Sequence, residues 1–183
     1  MQKDTTTSTY IRWVLIHLGI GAGVFVLPLL AKLYAILIVV VGFRYVIRTK
    51  NAENEALYVA AYVVGAEVFL RMTEGNFFEQ YAKYVVMGIL ILGMIYQNFS
   101  RHSWIYWVFG LLLIPGIVLA FFTLNFETDS RKAITFNIIG PITLMISAIY
   151  CYQREITFKQ VLTIVDMLAY PLMATVVYMF AYT

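Results

Sequence analysis

Apolar and polar stretches alternate along this chain, and each apolar stretch is close to the length of a membrane-crossing helix. A transmembrane helix needs about 20 mostly apolar residues, because each residue adds about 1.5 Å along the axis. The pattern therefore predicts an all-α, polytopic transmembrane helix bundle with about seven spans, in which residues 1–183 form a single transmembrane domain. The predicted spans are Trp13–Leu27, Leu33–Ile47, Ala56–Met72, Tyr81–Tyr96, Trp104–Leu124, Ala133–Cys151 and Val161–Tyr182.

The first two apolar runs allow two interpretations. Together they are too long for one comfortable span and slightly short for two. Proline disfavours the continuation of a helix, and the side chain of Lys32 is long enough to reach the membrane surface from an apolar segment. We therefore expect a helical hairpin with its turn near Pro28–Lys32. A single long helix, tilted or kinked, is the alternative.

The composition agrees with a membrane protein. Hydrophobic residues make up 62% of the chain and charged residues only 13%, whereas a soluble domain carries about 25% charged residues. The net charge of +3 is too small to indicate a nucleic-acid partner. Cys151 is the only cysteine, which excludes a disulfide framework and a cysteine metal site within the chain. The expected partner is the lipid bilayer.

Lysine and arginine residues predict the orientation of the bundle, because cytoplasmic loops carry an excess of them. With alternating spans, eight of the 13 lie on one side and five on the other. The amino terminus is therefore predicted to be cytoplasmic, and Cys151 should end the sixth span at the cytoplasmic face. The larger set is Lys3, Arg12, Arg44, Arg48, Lys50, Arg101, Arg154 and Lys159, and the smaller set is Lys32, Arg71, Lys83, Arg131 and Lys132.

Two carboxylates fall inside predicted spans. Glu67 is followed four residues later by Arg71, so both side chains lie on one face of the third span. A charge deep in hydrocarbon costs roughly 2.5–3.5 kcal/mol, so such residues usually face protein and pair. The pair either holds this helix against its neighbours, or Arg71 borders an anionic-ligand site and Glu67 orients it. Asp166, in the seventh span, is either a buried structural acid or a group for proton coupling or substrate contact.

Other motifs predict packing rather than chemistry. Gly19, Gly21 and Gly23 lie inside an apolar helix and follow no strand, so we interpret them as small residues that allow close helix packing. His17 and His102 have no neighbouring acid or second histidine, so neither is expected to bind a metal. The residues alone thus predict a polytopic membrane protein and no reaction.

Two long stretches resemble a known family. They read ALYVAAYVVGAEVFLRMTEGNFFEQYAKY, residues 56–84, and TLNFETDSRKAITFNIIGPITLMISAIYCYQREITF, residues 123–158. They resemble the amino-terminal half of the O-antigen ligase and polymerase family, in the variant found in Bacteroidetes. The resemblance extends from about Arg48 to Thr183. It implies a bacterial inner-membrane glycosyltransferase that moves glycan from an undecaprenyl-pyrophosphate carrier onto lipid A–core or onto a growing polysaccharide.

The resemblance also implies limits. Members of this family need no nucleotide-sugar and no obligatory metal or other cofactor. Their catalytic arginines and histidine belong mainly to later spans and to a large periplasmic loop, so no catalytic residue is assigned here. We therefore expect this chain to be the front part of a longer multi-span protein. The alternative is a self-contained seven-span transporter or membrane scaffold subunit.

The resemblance gives a role to four of the five cations in the smaller set. The donor presents its pyrophosphate at the outer headgroup level, where four cations are predicted to cluster, and arginine and lysine both bind phosphate. Interfacial snorkelling, or pairing with Glu74, Glu79, Glu127 and Asp129, remains the alternative. The candidate substrate-binding residues are Arg71, Lys83, Arg131 and Lys132, with Glu67 and Asp166 as structural or orienting residues.

Overall fold

The computed structural model describes residues 3–123 and 128–182, and in these residues the chain is 85% helix with no strand. The helices are α1 (Lys3–Val26), α2 (Leu29–Thr49), α3 (Glu55–Met72), α4 (Tyr81–Gln97), α5 (Trp104–Thr123), α6 (Thr128–Cys151) and α7 (Phe158–Tyr182). A single 3-10 turn, Arg101–Ser103, precedes α5.

The break between α1 and α2 confirms the predicted hairpin. The amide of Leu27 still donates to the carbonyl of Gly23 at 2.9 Å, and a new turn begins where the amide of Ala31 donates to the carbonyl of Pro28 at 3.0 Å. Proline has no amide hydrogen to continue the ladder of α1, so the chain turns here. The single long helix is therefore wrong.

Four helices in the described part of the chain are long and apolar enough to cross a bilayer, namely Ser8–Val26, Leu29–Thr49, Arg101–Ala120 and Phe158–Tyr182. Tyr81–Gln97 and Thr135–Cys151 are apolar but shorter. The remaining helix, α3, is 18 residues long and contains Glu55, Glu67 and Arg71. These helices are those of a chain that associates with a lipid bilayer.

The odd-numbered helices α1, α3 and α7 run in the same direction. Gly21 of α1 packs against Ala174 of α7. One turn further along both helices, Phe25 contacts Tyr178, with 6.2 Å between ring centroids. The same Tyr178 ring lies 6.0 Å from that of Phe69 near the end of α3. Contacts that advance together along two helices require a parallel pair.

The even-numbered helices run in the opposite direction. Gly93, near the end of α4, faces Ala56 at the start of α3 and Tyr150 near the end of α6. Near the start of α4, Lys83 lies against Phe136 of α6. Each connection therefore returns the chain to the other end of the bundle. This gives two ends, which we name the Pro28 end (Pro28 and residues 73–80) and the Asn51 end (Asn51–Asn54 and residues 98–103 and 152–157).

The core lies around α3, which packs against α2, α4 and α7. Its inward residues Val63, Ala66, Phe69 and Leu70 are all at most 1% exposed. Outward-facing positions of the other helices are large and apolar, as in Leu112 and Phe180. A buried core surrounded by an apolar surface is the arrangement expected of a bundle that faces lipid.

Candidate functional site

The predicted pair of Glu67 and Arg71 forms a salt bridge. Nη2 of Arg71 donates to Oε1 of Glu67 at 2.7 Å, and Nε donates to the same oxygen at 3.0 Å. The guanidinium also donates to the backbone carbonyl of Glu79 at 3.2 Å. Arg71 therefore ties the end of α3 to the loop before α4. The side chain of Arg71 is 45% exposed and that of Glu67 is 24% exposed. The pair is therefore not shielded by protein, although its apolar surroundings in the sequence predicted that it would be.

Lys83 and Lys132 lie near the starts of two helices that pack together, α4 and α6. Nζ of Lys83, in the first turn of α4, lies 5.6 Å from the ring centroid of Phe136, within the range of a cation–π contact. Lys132 precedes Phe136 by four residues on α6, so the two share a helix face. Lys83 thus contacts this ring, and Lys132 lies one turn before it, so both cations are at the Pro28 end. The side chain of Arg131 lies outside the described residues.

The start of α4 adds polar groups to this region. Gln80 stands at its N-cap position and forms no side-chain capping hydrogen bond. Its side chain is 5% exposed, and neither its amide nitrogen nor its amide oxygen has a hydrogen-bond partner. The start of a helix carries a partial positive charge that favours anions. Lys83, the start of α4 and the Gln80 amide together offer a site for an anionic polar group.

Asp166 lies apart from these cations. It is exposed on α7, one turn before Tyr170, whose ring contacts Tyr10 and Trp13 of α1. The interpretation of Asp166 as a buried structural acid is therefore wrong, because its side chain is exposed and the buried residues of α7 begin at Tyr170. The structure brings Arg71, Lys83 and Lys132 to one end of the bundle, and leaves Asp166 nearer the other.

A second polar cluster lies inside the bundle. His17 of α1 is 0% exposed. Its Nδ1 atom lies 2.7 Å from the carbonyl of Trp13, and its Nε2 atom lies 2.8 Å from the hydroxyl of Tyr62 in α3. That hydroxyl lies 2.8 Å from the hydroxyl of Tyr34 in α2. These hydrogen bonds join three helices. The ring of Tyr170, from α7, stacks on the His17 ring with 5.8 Å between centroids.

The carbonyl of Trp13 sets the direction of these hydrogen bonds. A carbonyl only accepts, so Nδ1 of His17 must carry a hydrogen. In the neutral imidazole Nε2 is then the acceptor, and the hydroxyl of Tyr62 donates to it. The hydroxyl of Tyr34 in turn donates to Tyr62. In a protonated His17 Nε2 would be a donor, so the Tyr62 hydroxyl would accept from it and could then donate to Tyr34.

Arg154 is the polar centre of the Asn51 end. Its Nη1 atom donates to the side-chain oxygens of Asn54 at 3.0 Å and Gln97 at 2.7 Å, while Nη2 donates to the carbonyl of Asn98 at 3.1 Å. The guanidinium also lies over the ring of Tyr150 at 4.0 Å. One side chain therefore connects the α2–α3 loop, the end of α4 and the end of α6.

Sequence reasoning missed both of these groups. It assigned His17 no role because no acid or second histidine lies near it in the chain. Its hydrogen-bond partner Tyr62 is 45 residues away. The signal that was available is a histidine within an apolar span, which is unfavourable there unless it has a partner. Within the described residues no group of three or more histidine, cysteine, aspartate or glutamate side chains could hold a metal ion.

Comparison of the chain with protein-family models, with curated proteins and with solved structures gives no match.

Proposed function

We propose that this chain is the amino-terminal part of a membrane glycosyltransferase of the O-antigen ligase and polymerase type. It binds an undecaprenyl-pyrophosphate-linked glycan and serves the transfer of that glycan to lipid A–core or to a growing polysaccharide. The observation that carries the proposal is the contact of Lys83 with Phe136 of α6, one turn after Lys132, at the same end of the bundle as Arg71. In this proposal the chain crosses the bacterial inner membrane about seven times, with a cytoplasmic amino terminus and an external Pro28 end.

The chemistry of the donor suits these groups. Glycan transfer releases a pyrophosphate, and cations placed at the leaving group stabilise the negative charge that develops as the glycosidic bond breaks. Lys83 and Lys132 act as point charges at headgroup depth. Arg71 already uses its fork on Glu67 and Glu79, so it positions the loop before Lys83. The buried amide of Gln80 offers a donor to a phosphate oxygen.

A self-contained transporter is the second candidate, favoured by the His17 cluster. An ionisable residue inside a membrane segment is a default candidate for proton relay. His17 is hydrogen-bonded to Tyr62, which is hydrogen-bonded to Tyr34. In this function the buried histidine would exchange a proton during a transport cycle.

Glycan transfer by the intact protein tests the proposal. The substitutions Lys83→Ala and Lys132→Ala are combined in the intact gene and expressed in a strain that lacks its own ligase. Because hydrogen bonds to charged groups contribute about 1.5–3 kcal/mol, we expect transfer to fall at least about tenfold at matched membrane levels. The control Lys159→Ala removes an exposed cation from the opposite end and should leave transfer unchanged. Unchanged transfer in the double variant would contradict the proposed site.

A further inference from the structure

A groove of about 820 Å³ runs between α1 and α2. It exists because α1 packs chiefly against α7 rather than against its neighbour in sequence. The walls are apolar, and Leu33, Leu37 and Val40 of α2 are more than half exposed along it. Tyr34 lines the groove as well, with its hydroxyl held by Tyr62.

Two glycines give the groove its width on the α1 side. Gly19 and Gly23 are four residues apart, so they occupy one face of α1. A Cβ atom added at Gly19 would meet nothing within 4 Å, and one added at Gly23 would meet only Leu30 at 3.5 Å. Gly21 differs, because its added Cβ would lie 2.6 Å from the carbonyl oxygen of Ala174. Of these three glycines, only Gly21 packs closely against another helix. The prediction of close packing is wrong for Gly19 and Gly23, because they face the groove and, among the described residues, come near no backbone of another helix.

The groove is one leaflet deep. On α2 it follows Leu30 to Val40, which is about 15 Å at 1.5 Å per residue. On α1 it follows Ile16 to Val24, the second half of the apolar segment Ser8–Val26. The hydrocarbon core of a bilayer is about 30 Å thick. The groove therefore extends from the Pro28 end to about the middle of the bilayer, the depth that one acyl chain occupies.

The cation Lys32 lies where the headgroup of a lipid bound in this groove would be. Lys32, in the first turn of α2, is exposed and one turn before Ile36, which lines the groove. Within the described residues Lys32 takes part in no salt bridge. The first turn of α2 contains no acidic residue, so the partial positive charge of the helix start adds to that of Lys32. Both charges favour an anionic headgroup.

We propose that the groove between α1 and α2 binds one acyl chain of an anionic phospholipid, with the phosphate of its headgroup beside Lys32. The apolar walls exclude a charged or polar occupant at this depth, because nothing there would replace its lost hydration. A transmembrane helix would contact α1 and α2 through both leaflets, whereas the groove ends near Val40. This site does not depend on the proposed glycosyltransferase function.

Lipid retention by the purified chain tests the proposal. The chain is equilibrated with equal amounts of phosphatidylglycerol and phosphatidylcholine, and the lipids that remain bound are counted by native mass spectrometry. We expect one retained lipid per chain and, because one cation near the surface favours anionic lipid by about fivefold, a preference of that size for phosphatidylglycerol. Lys32→Gln should abolish the preference while the retained lipid remains.

Filling the groove supplies the second variant. Gly19→Leu combined with Gly23→Leu should reduce lipid retention at least about fivefold, since two leucine side chains would occupy the space of the acyl chain. The control Gly116→Leu adds the same side chain on α5 where nothing lies within 4 Å, and should retain lipid as the unsubstituted chain does. Equal retention in the filled variant, an unchanged preference in Lys32→Gln, or displacement of phosphatidylglycerol by equimolar undecaprenyl phosphate would overturn the proposal.

Discussion

Nε2 of His17 lies 2.8 Å from the hydroxyl of Tyr62, and this contact joins the first helix of the chain to the third inside the bundle. The histidine is fully buried. Its two ring nitrogens are both hydrogen-bonded, one to the carbonyl of Trp13 and one to Tyr62. A polar side chain at this depth stabilises the bundle only while its partners are in place.

Removal of the Tyr62 hydroxyl should therefore lower stability. Tyr62→Phe deletes the link to His17 and to Tyr34 and leaves both without that partner. We expect a loss of about 1–3 kcal/mol, since a buried polar group without its hydrogen bond is destabilising by that amount. The measurement is the thermal unfolding midpoint in detergent. Tyr84→Phe, which removes a hydroxyl from an exposed side chain of α4, is the control; an equal loss there would contradict the buried link.

Two neighbouring glycines of α1 should respond to alanine with opposite signs. At Gly21 the added Cβ would lie 2.6 Å from the carbonyl oxygen and 3.1 Å from the Cα atom of Ala174, so Gly21→Ala must separate α1 from α7. At Gly19 the added methyl group meets nothing, and alanine favours a helix over glycine by about 1 kcal/mol. Thermal unfolding should show a lower midpoint for Gly21→Ala and an unchanged or higher one for Gly19→Ala. A common direction would contradict the packing of α1 on α7.

Arg154 should not be replaceable by lysine. Arg154→Lys keeps the charge but loses the planar fork that reaches Asn54, Gln97 and the carbonyl of Asn98 together. We expect the unfolding free energy to fall by about 2 kcal/mol, the contribution of a hydrogen bond to a charged group. Arg101→Lys makes the same change at an exposed position of this end and should have little effect. Similar losses in both variants would contradict a specific role for the fork of Arg154, and no loss in Arg154→Lys would show that charge alone matters.

The opposite ends of the bundle should be accessible from opposite sides of the membrane. Cys151 is exposed near the Asn51 end, and Glu79 is exposed at the Pro28 end. In intact spheroplasts an impermeant maleimide should label the variant Glu79→Cys/Cys151→Ala, whose only cysteine is at position 79. It should not label the unsubstituted chain, whose only cysteine is Cys151. Labelling of Cys151 alone would invert the orientation, and labelling of both would contradict alternate crossing.

Local chemistry made part of this fold predictable. Proline disfavours the continuation of a helix because it lacks the amide hydrogen, so Pro28 identified the turn between α1 and α2. Glu67 and Arg71 are close in the chain, and helical spacing alone placed them together. The placement of Lys83 and Lys132 at the same end of the bundle followed from alternating spans.

Contacts between distant helices were not predictable. The His17–Tyr62 and Tyr62–Tyr34 bonds connect residues 45 and 28 positions apart, and no periodicity relates them. Gly19 and Gly21 are both glycines of α1, but Gly21 packs closely against α7 and Gly19 borders open space. The difference depends on which helix lies opposite each position. Which helices pack together in a membrane protein depends on the fit of their surfaces rather than on a hydrophobic pattern, because lipid is as apolar as the helix surface.

The most direct test of the proposed donor site is the binding of undecaprenyl pyrophosphate to the purified chain in nanodiscs. Lys83→Gln combined with Lys132→Gln removes the cations near the starts of α4 and α6, and Lys159→Gln removes one at the opposite end. We predict that the double variant binds at least about tenfold more weakly, that Lys159→Gln binds as the unsubstituted chain does, and that added salt weakens binding in proportion to the cations present. Equal affinity in all three chains would contradict a pyrophosphate site at Lys83 and Lys132.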